Sequence, residues 1–103
     1  MDREQALELV QKHLKNKNLV KHCLAVEACM RALAARLNQD VEKWGLAGVL
    51  HDLDYELTEK SPELHTTETV KILKEIGVGP DIIQAIQAHA AQVSCKSEMD
   101  WAI

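Results

Sequence analysis

The stretch that decides the fold reads WGLAGVLHD and covers residues 44–52. Residues 44–50 carry no charged side chain, which is typical of a helix that is buried on all sides. Gly45 and Gly48 each lower helix propensity by about 1 kcal/mol relative to Ala, so we expect them to admit the backbone of a neighbouring helix. Asp40 stands before the stretch as a candidate N-cap. We therefore predict a central helix that ends at His51 and Asp52.

Helical patterns precede this central segment. A first helix of about twelve residues is expected to end at the polar cluster 16–18, where Asn18 would cap the second helix. The apolar face of the first helix is predicted to contain Ala6, Leu7, Val10 and Leu14. The second helix is predicted to bury the stripe Leu19, Cys23, Val26, Met30, Leu33 and Leu37. Its opposite, solvent-facing side would then carry Glu27, Arg31 and Asn38.

Start and stop signals divide the C-terminal half as well. Residues 54–60 are polar and break the periodicity, so they are predicted to form a surface loop. Ser61-Pro62 then opens a helix that ends at Gly77 and Gly79, and Pro80 begins the next one. Ser97 resembles the start of a capping box that opens a last helix.

No stretch alternates with period two, so the chain is predicted to be all-α. We expect one domain over residues 1–103, an orthogonal bundle of five to six helices.

Composition excludes several classes of protein. A chain of 103 residues with 47% hydrophobic residues can bury one compact core. The formal net charge of −4 disfavours a nucleic-acid polymer as partner, although a local cationic pocket for a small anion remains compatible with it. No apolar run approaches the length of about twenty residues that a membrane span needs. The three cysteines lack a CxxC pair, which favours a reducing, cytoplasmic location without disulfides. The sequence leaves the oligomeric state open.

Histidine is the residue type that points to chemistry. Four histidines fall on faces or helix ends that the apolar pattern turns inward: His22, His51, His65 and His89. His65 is expected to lie within its helix, on one face with Thr69, Ile72 and Ile76. A single inward histidine is more often a core residue bonded to a carbonyl. One shared metal ion, however, would account for all four imidazoles and for the adjacent Asp52, whose charge is costly to bury without a partner.

The arrangement of these residues resembles a known family. His22, the doublet in GVLHDLDYE (residues 48–56), PELH (62–65) and IQAH (86–89) are similar to the HD superfamily of metal-dependent phosphohydrolases, in particular to its small bacterial HDIG-type members. The resemblance covers essentially the whole chain. It implies a divalent metal centre with His22, His51 and Asp52 as ligands, while His65 and His89 would bind a second ion or the substrate phosphate. One or two ions are implied, and Mn, Fe, Mg, Zn, Ni and Co all remain open.

The resemblance also implies a reaction. The expected function is hydrolysis of a small phosphate ester or nucleotide through a metal-activated water, with His51 and Asp52 as catalytic residues. Lys21, next to His22, is a candidate for substrate binding, although it is turned about 100° away from His22 on the helix. The alternative is a degenerate, non-catalytic HD-like helical module that binds a nucleotide or a protein partner.

The non-catalytic alternative depends on how the sequence ends. In the family a closing Asp ligand follows a pattern similar to Ala-Ile-Tyr-Ala-x-Asp on the last helix, whereas this sequence ends at Ala102-Ile103. We therefore expect either a domain that is truncated at its C-terminus or a degenerate member of the family. Asp100 lies on the same predicted helix about two turns earlier, and we interpret it as a solvated or capping acid.

Overall fold

The computed structural model describes residues 1–58, 64–90 and 93–103. Within these ranges all regular structure is helical, which confirms the all-α prediction. The elements are α1 (Arg3–His13), α2 (Lys17–Arg36), α3 (Val41–Leu50), the single turn α4 (Tyr55–Thr58), α5 (Thr67–Ile76), α6 (Pro80–His89) and α7 (Glu98–Ala102). The predicted helix start at Ser61-Pro62 lies outside the described residues.

Helix α3 occupies the centre of the fold, as the uncharged stretch 44–50 predicts. It packs against α1, α2 and α6, and most of its residues from Trp44 to Leu50 are buried. A Cβ atom at Gly48 would lie 3.1 Å from the Glu27 Cα and 3.1 Å from the Val26 carbonyl oxygen. The backbone of α2 therefore approaches α3 closely at this glycine. At Gly45 the nearest atoms belong instead to the side chain of Arg31, so only Gly48 admits a neighbouring backbone.

Most helix termini follow the predicted signals. The Asp40 side chain accepts a hydrogen bond from Lys43 N at 3.1 Å, and Gly77 ends α5 in the left-handed conformation with a φ of 91°. The prediction that Asn18 caps α2 is wrong. Asn16 is the cap, because α2 begins at Lys17 and the Asn16 side chain accepts from Asn18 N at 2.9 Å.

The prediction that Glu27 lies on a solvent-facing side of α2 is also wrong. The Glu27 side chain is buried between two arginines, with Arg3 Nε 2.7 Å and Arg31 Nε 3.1 Å from its Oε2. Arg3, the first residue of α1, reaches this face and supplies one of the charges that the buried carboxylate needs. Leu33 and Leu37, which were expected in the core, are 40% and 45% exposed.

The segment after α3 differs from the predicted surface loop. Asp54 has no exposed surface, and Tyr55–Thr58 form a helical turn. Further on, α5 begins only at Thr67, because Thr66 adopts a φ of 75° that is incompatible with a right-handed helix. His65 therefore lies in the turn before α5, and the prediction that it shares a helix face with Thr69 is wrong.

Candidate metal centre

Four histidines from different parts of the fold meet around the Asp52 carboxylate. His51 and Asp52 directly follow α3, His22 lies in the first half of α2, His89 is the last residue of α6, and His65 stands before α5. All five were predicted from the sequence as metal ligands. Two groups of three potential ligands form here, His22 with His51 and Asp52, and Asp52 with His65 and His89. Within each group the ligand atoms lie within 4.8 Å of one another.

The two oxygens of Asp52 face different histidine pairs. Oδ2 lies 3.0 Å from His22 Nε2 and 3.2 Å from His51 Nε2. Oδ1 lies 2.9 Å from His65 Nε2 and 3.5 Å from His89 Nε2. The carboxylate is therefore shared between two clusters of imidazole nitrogens.

Three of the imidazoles are anchored through their other ring nitrogen. Nδ1 of His51 lies 2.6 Å from the Gly48 carbonyl oxygen, and Nδ1 of His89 lies 2.5 Å from the Ile86 carbonyl oxygen. A carbonyl oxygen can only accept, so these two rings donate through Nδ1. In the neutral imidazole, Nε2 then carries a lone pair that points at Asp52. Nδ1 of His65 is anchored as well, 2.8 Å from Asp54 Oδ1.

The Nε2 atoms also face each other at short range. The distance is 3.3 Å between His22 and His51 and 3.1 Å between His65 and His89. His65 and His89 are both anchored through Nδ1, so as neutral imidazoles they would bring two Nε2 lone pairs together at 3.1 Å, which is unfavourable unless a proton or a metal cation lies between them. Imidazole nitrogens with one carboxylate form a donor set that suits divalent transition metals. Anchoring of the second ring nitrogen is the usual arrangement for a metal-binding histidine. The residues present therefore fit a divalent metal ion.

The electrostatics favour an ionised Asp52. Burial raises the pKa of the Asp52 carboxyl, but where the rings of His51 and His89 are protonated, their hydrogen bonds and positive charge outweigh this effect and hold the pKa well below its ordinary value. Burial, together with the negative charge of Asp52, raises the pKa of the nearby Cys23 thiol to about 12. Cys23 is therefore a protonated core residue at neutral pH, whereas Cys29 is exposed and Cys95 is half-buried.

His22 and Lys21 lie at the solvent side of this arrangement. The His22 side chain is 48% exposed, against 6% for His51, so the prediction that His22 is turned into the core is wrong although its Nε2 reaches Asp52. Its neighbours Ala25 and Cys29 are exposed as well. Lys21 is exposed and lines a groove whose other residues are Gln11, Leu14, Lys15, Lys17 and Val20. The structure does not include the histidines in the lining of this groove.

Asp100 acts as a capping residue. Its carboxylate accepts from Lys96 N at 2.7 Å, from Gln84 Nε2 at 3.1 Å and from Ser97 Oγ at 2.9 Å. It is only 3% exposed, so the capping interpretation is confirmed and the solvated one is wrong. Burial raises the pKa of Asp100, but these hydrogen bonds have the larger combined effect and lower it.

Sequence reasoning missed Asp54, which contacts one of the five residues directly. Its Oδ1 lies 2.8 Å from His65 Nδ1, and the side chain is fully buried. Periodicity could not reveal this position, because residues 51–54 form turns rather than a regular helix. The one available signal was its place two residues after the His51-Asp52 pair.

Known proteins with a similar sequence identify the family of this chain. The sequence matches the HD domain family over residues 19–98. It is 36% identical over 74 residues to Ribonuclease Y of Nitratidesulfovibrio vulgaris, a match that covers 72% of this chain and 14% of the relative. It is 30% identical over 84 residues to Ribonuclease Y of Oleidesulfovibrio alaskensis, covering 82% of this chain and 16% of the relative. The matched region is thus about one seventh of the length of these relatives. No solved structure gives a significant match. Since the family match covers most of the sequence, this chain belongs to the HD domain family.

Proposed function

We propose that this chain is a metal-dependent phosphohydrolase that cleaves a small phosphate ester or nucleotide with an activated water. The observation that carries the proposal is the shared Asp52 carboxylate, whose two oxygens each face a pair of imidazole Nε2 atoms at 2.9–3.5 Å. Such a cluster needs positive charge at its centre, and a divalent ion supplies it. Five residues would hold one or two ions: His22, His51, Asp52, His65 and His89.

The roles of the side chains follow from their positions. A bound divalent ion would lower the pKa of a water molecule and neutralise charge on the phosphoryl oxygens. Asp52 would orient this water with one oxygen while its other oxygen faces His65, and His51 is fixed for its role by the Gly48 carbonyl. His65 and His89, on the other side of Asp52, would bind a second ion or the phosphate itself. Mixed nitrogen and oxygen ligands admit Mn, Fe, Mg, Zn, Ni and Co.

The size of the substrate is inferred from charge. A net charge of −4 is poorly suited to a long polyanion, so we propose a small phosphorylated partner rather than a nucleic-acid polymer. The name Ribonuclease Y says that the relatives act on RNA, and the matched region is a small part of each of them. An RNA oligonucleotide therefore belongs in the substrate panel. Its cleavage in preference to mononucleotides would replace the small-ester proposal.

Lys21 is proposed as an auxiliary phosphate-binding residue. It precedes the partly exposed His22 on α2, and Lys15 and Lys17 line the same groove. A substrate that reaches the cluster from the His22 side would pass close to these positive charges.

We further propose a cytoplasmic location. None of the described helices combines the length and apolar character that a membrane crossing requires. Cys23, Cys29 and Cys95 are all free thiols, which accords with a reducing compartment.

A substrate screen with two active-site variants tests the function. The chain, stripped with a chelator and reloaded with Mn, Fe, Mg, Zn, Ni or Co, is assayed against phosphate monoesters, nucleotides and a short RNA. Activity is expected with at least one ion, and it should disappear in His51→Ala and Asp52→Ala. Asp81→Asn is the matched control, because Asp81 is an exposed carboxylate that pairs with Lys43 away from the cluster. Metal-independent nucleotide or protein binding without hydrolysis under any ion would favour the degenerate, non-catalytic module instead.

A further inference from the structure

We propose that Asp54 is a positioning residue that holds His65 in the tautomer and orientation needed at the metal centre. Asp54 itself does not face the cluster. It acts through the His65 ring, whose Nδ1 it contacts while Nε2 of the same ring reaches Asp52. The part of this inference that concerns metal affinity rests on the proposed function, whereas the part that concerns the tautomer does not.

The Asp54 carboxylate is surrounded by hydrogen-bond donors. Oδ1 lies 2.8 Å from His65 Nδ1 and accepts from Thr66 N at 3.1 Å. Oδ2 accepts from Glu68 N and from Thr69 N, both at 3.1 Å. The side chain has no exposed surface, so these contacts replace hydration of the carboxylate.

These contacts place a proton on Nδ1 of His65. The three backbone N–H groups can only donate, and an ionised carboxylate can only accept. With both Asp54 oxygens engaged as acceptors, the His65 Nδ1 must be the donor in its contact with Oδ1. In the neutral ring Nε2 is then unprotonated, and it faces Asp52 Oδ1 at 2.9 Å and His89 Nε2 at 3.1 Å. This is the form of imidazole that binds a metal.

The backbone around His65 gives Asp54 its importance. His51 and His89 stand at helix ends and bond to carbonyls of their own helices, whereas His65 lies in a turn before α5. The next residue, Thr66, adopts a φ of 75°, which is unfavourable for a β-branched residue. Asp54 accepts from the amide of this residue. Asp54 thereby holds both the backbone that follows His65 and the imidazole ring of His65.

A second hydrogen bond joins Asp54 to α5, and in this one Asp54 is the donor. The Asp54 backbone N–H donates to Thr69 Oγ1 at 3.0 Å, while the Asp54 side chain accepts from the backbone of Thr69. Asp54 could therefore be a mere anchor for the N-terminus of α5, where unpaired N–H groups favour an anion. The two roles make different predictions, because an anchor has no effect on the tautomer or the metal affinity of a correctly folded chain.

The first test is made on the metal-free wild-type chain. Long-range proton–nitrogen NMR at about pH 8, where an unperturbed imidazole is neutral, distinguishes the two ring nitrogens of His65. We expect a proton on Nδ1 of His65, either alone or together with a proton on Nε2 that Asp52 accepts. The opposite tautomer, or a rapid average of the two, would overturn the proposal. This result does not depend on whether the chain binds metal or has activity.

The second test measures Mn²⁺ binding by titration calorimetry in the wild type, Asp54→Asn and Thr69→Val. An amide at position 54 must turn its NH2 group toward either His65 Nδ1 or the amides of Glu68 and Thr69, so it cannot keep all four bonds. We expect Asp54→Asn to lose about 10- to 100-fold in the affinity of at least one ion. Thr69→Val removes the acceptor of the Asp54 amide without changing the carboxylate, and its affinity should match the wild type.

Each outcome of the second test decides the proposal. Equal affinity in Asp54→Asn and the wild type would overturn it, and so would an equal loss in Thr69→Val. If Asp54→Asn fails to fold, the tautomer of His65 in the wild-type chain decides the role of Asp54 alone. If the wild-type chain binds no ion, the proposed function fails, and the tautomer still decides the role of Asp54.

Discussion

His22 Nε2 lies 3.0 Å from Asp52 Oδ2, although the His22 side chain is 48% exposed and that of Asp52 only 11%. A solvent-exposed imidazole thus reaches one of the least accessible acids of the chain. The other three histidines around Asp52 have side-chain exposures of 6–18%. The His22 side of the cluster is therefore its more open side, through which an ion or a phosphate can approach Asp52.

This opening gives a prediction for Lys21. Lys21→Gln removes a positive charge beside the open side of the cluster, so binding of an anionic substrate should weaken. We expect KM to rise by about two- to fivefold with kcat unchanged, as for an exposed charge that contributes less than about 1 kcal/mol. Lys71→Gln, which removes an exposed lysine on α5, is the control. Equal KM values in both variants would show that Lys21 does not bind substrate.

The buried ion pairs of Glu27 give a second prediction. Glu27→Gln leaves Arg3 and Arg31 without their shared carboxylate, and we expect the free energy of unfolding to fall by about 1.5–3 kcal/mol. Glu42→Gln is a matched control, because Glu42 also pairs with Arg31 but is 74% exposed, and its effect should be clearly smaller. Urea denaturation measures both changes. A Glu27 variant no less stable than the Glu42 variant would mean that the buried pair does not stabilise the packing of α1.

The close approach of α2 and α3 gives a third prediction. Gly48→Ala places a Cβ 2.9 Å from Met30 Cγ and 3.1 Å from the α2 backbone. We expect a loss of about 1–2 kcal/mol in the free energy of unfolding, after the gain of about 1 kcal/mol in helix propensity. Gly45→Ala in the same helix meets only the side chain of Arg31, which can move, so its loss should be smaller. A Gly48 variant that is more stable than the wild type would contradict this packing.

Asp100 gives a prediction for pH dependence. Its pKa is lowered in the folded chain, because bonds from Lys96, Gln84 and Ser97 outweigh the effect of burial. Its contribution to stability is therefore present above the ordinary Asp pKa of about 3.9 and is lost as the pH falls through the lowered value. The wild type should exceed Asp100→Asn in unfolding free energy at pH 7, and the gap should shrink below about pH 4. Urea denaturation at several pH values measures this gap. A gap that does not change with pH would contradict the prediction that the ionised Asp100 carboxylate stabilises the fold.

The parts of the fold that local sequence determines could be predicted. The absence of charge in residues 44–50 indicated the central helix, and cap residues such as Asp40 and Ser97 act within three residues of their own position. The His51-Asp52 pair and its partner histidines could be brought together by the resemblance to a known family.

The errors at Glu27 and Asp54 share a physical cause, which is that a polar residue can be buried by partners far away in the sequence. Glu27 looked solvated because its position on α2 opposes the apolar stripe, but Arg3 lies 24 residues away and covers it. Asp54 looked like part of a polar loop, but its donors lie 11–15 residues further along the chain. No periodicity within a single helix contains this information.

The most direct test of the metal centre is the metal content of the purified chain, measured by elemental mass spectrometry. It is compared with that of His51→Ala and Asp52→Ala prepared in the same way, each after reconstitution with Mn, Fe or Zn. The account predicts about one or two ions per wild-type chain and almost none in either variant, because Asp52 faces all four imidazoles. A wild-type chain that retains no ion, or variants that retain as much as the wild type, would contradict it.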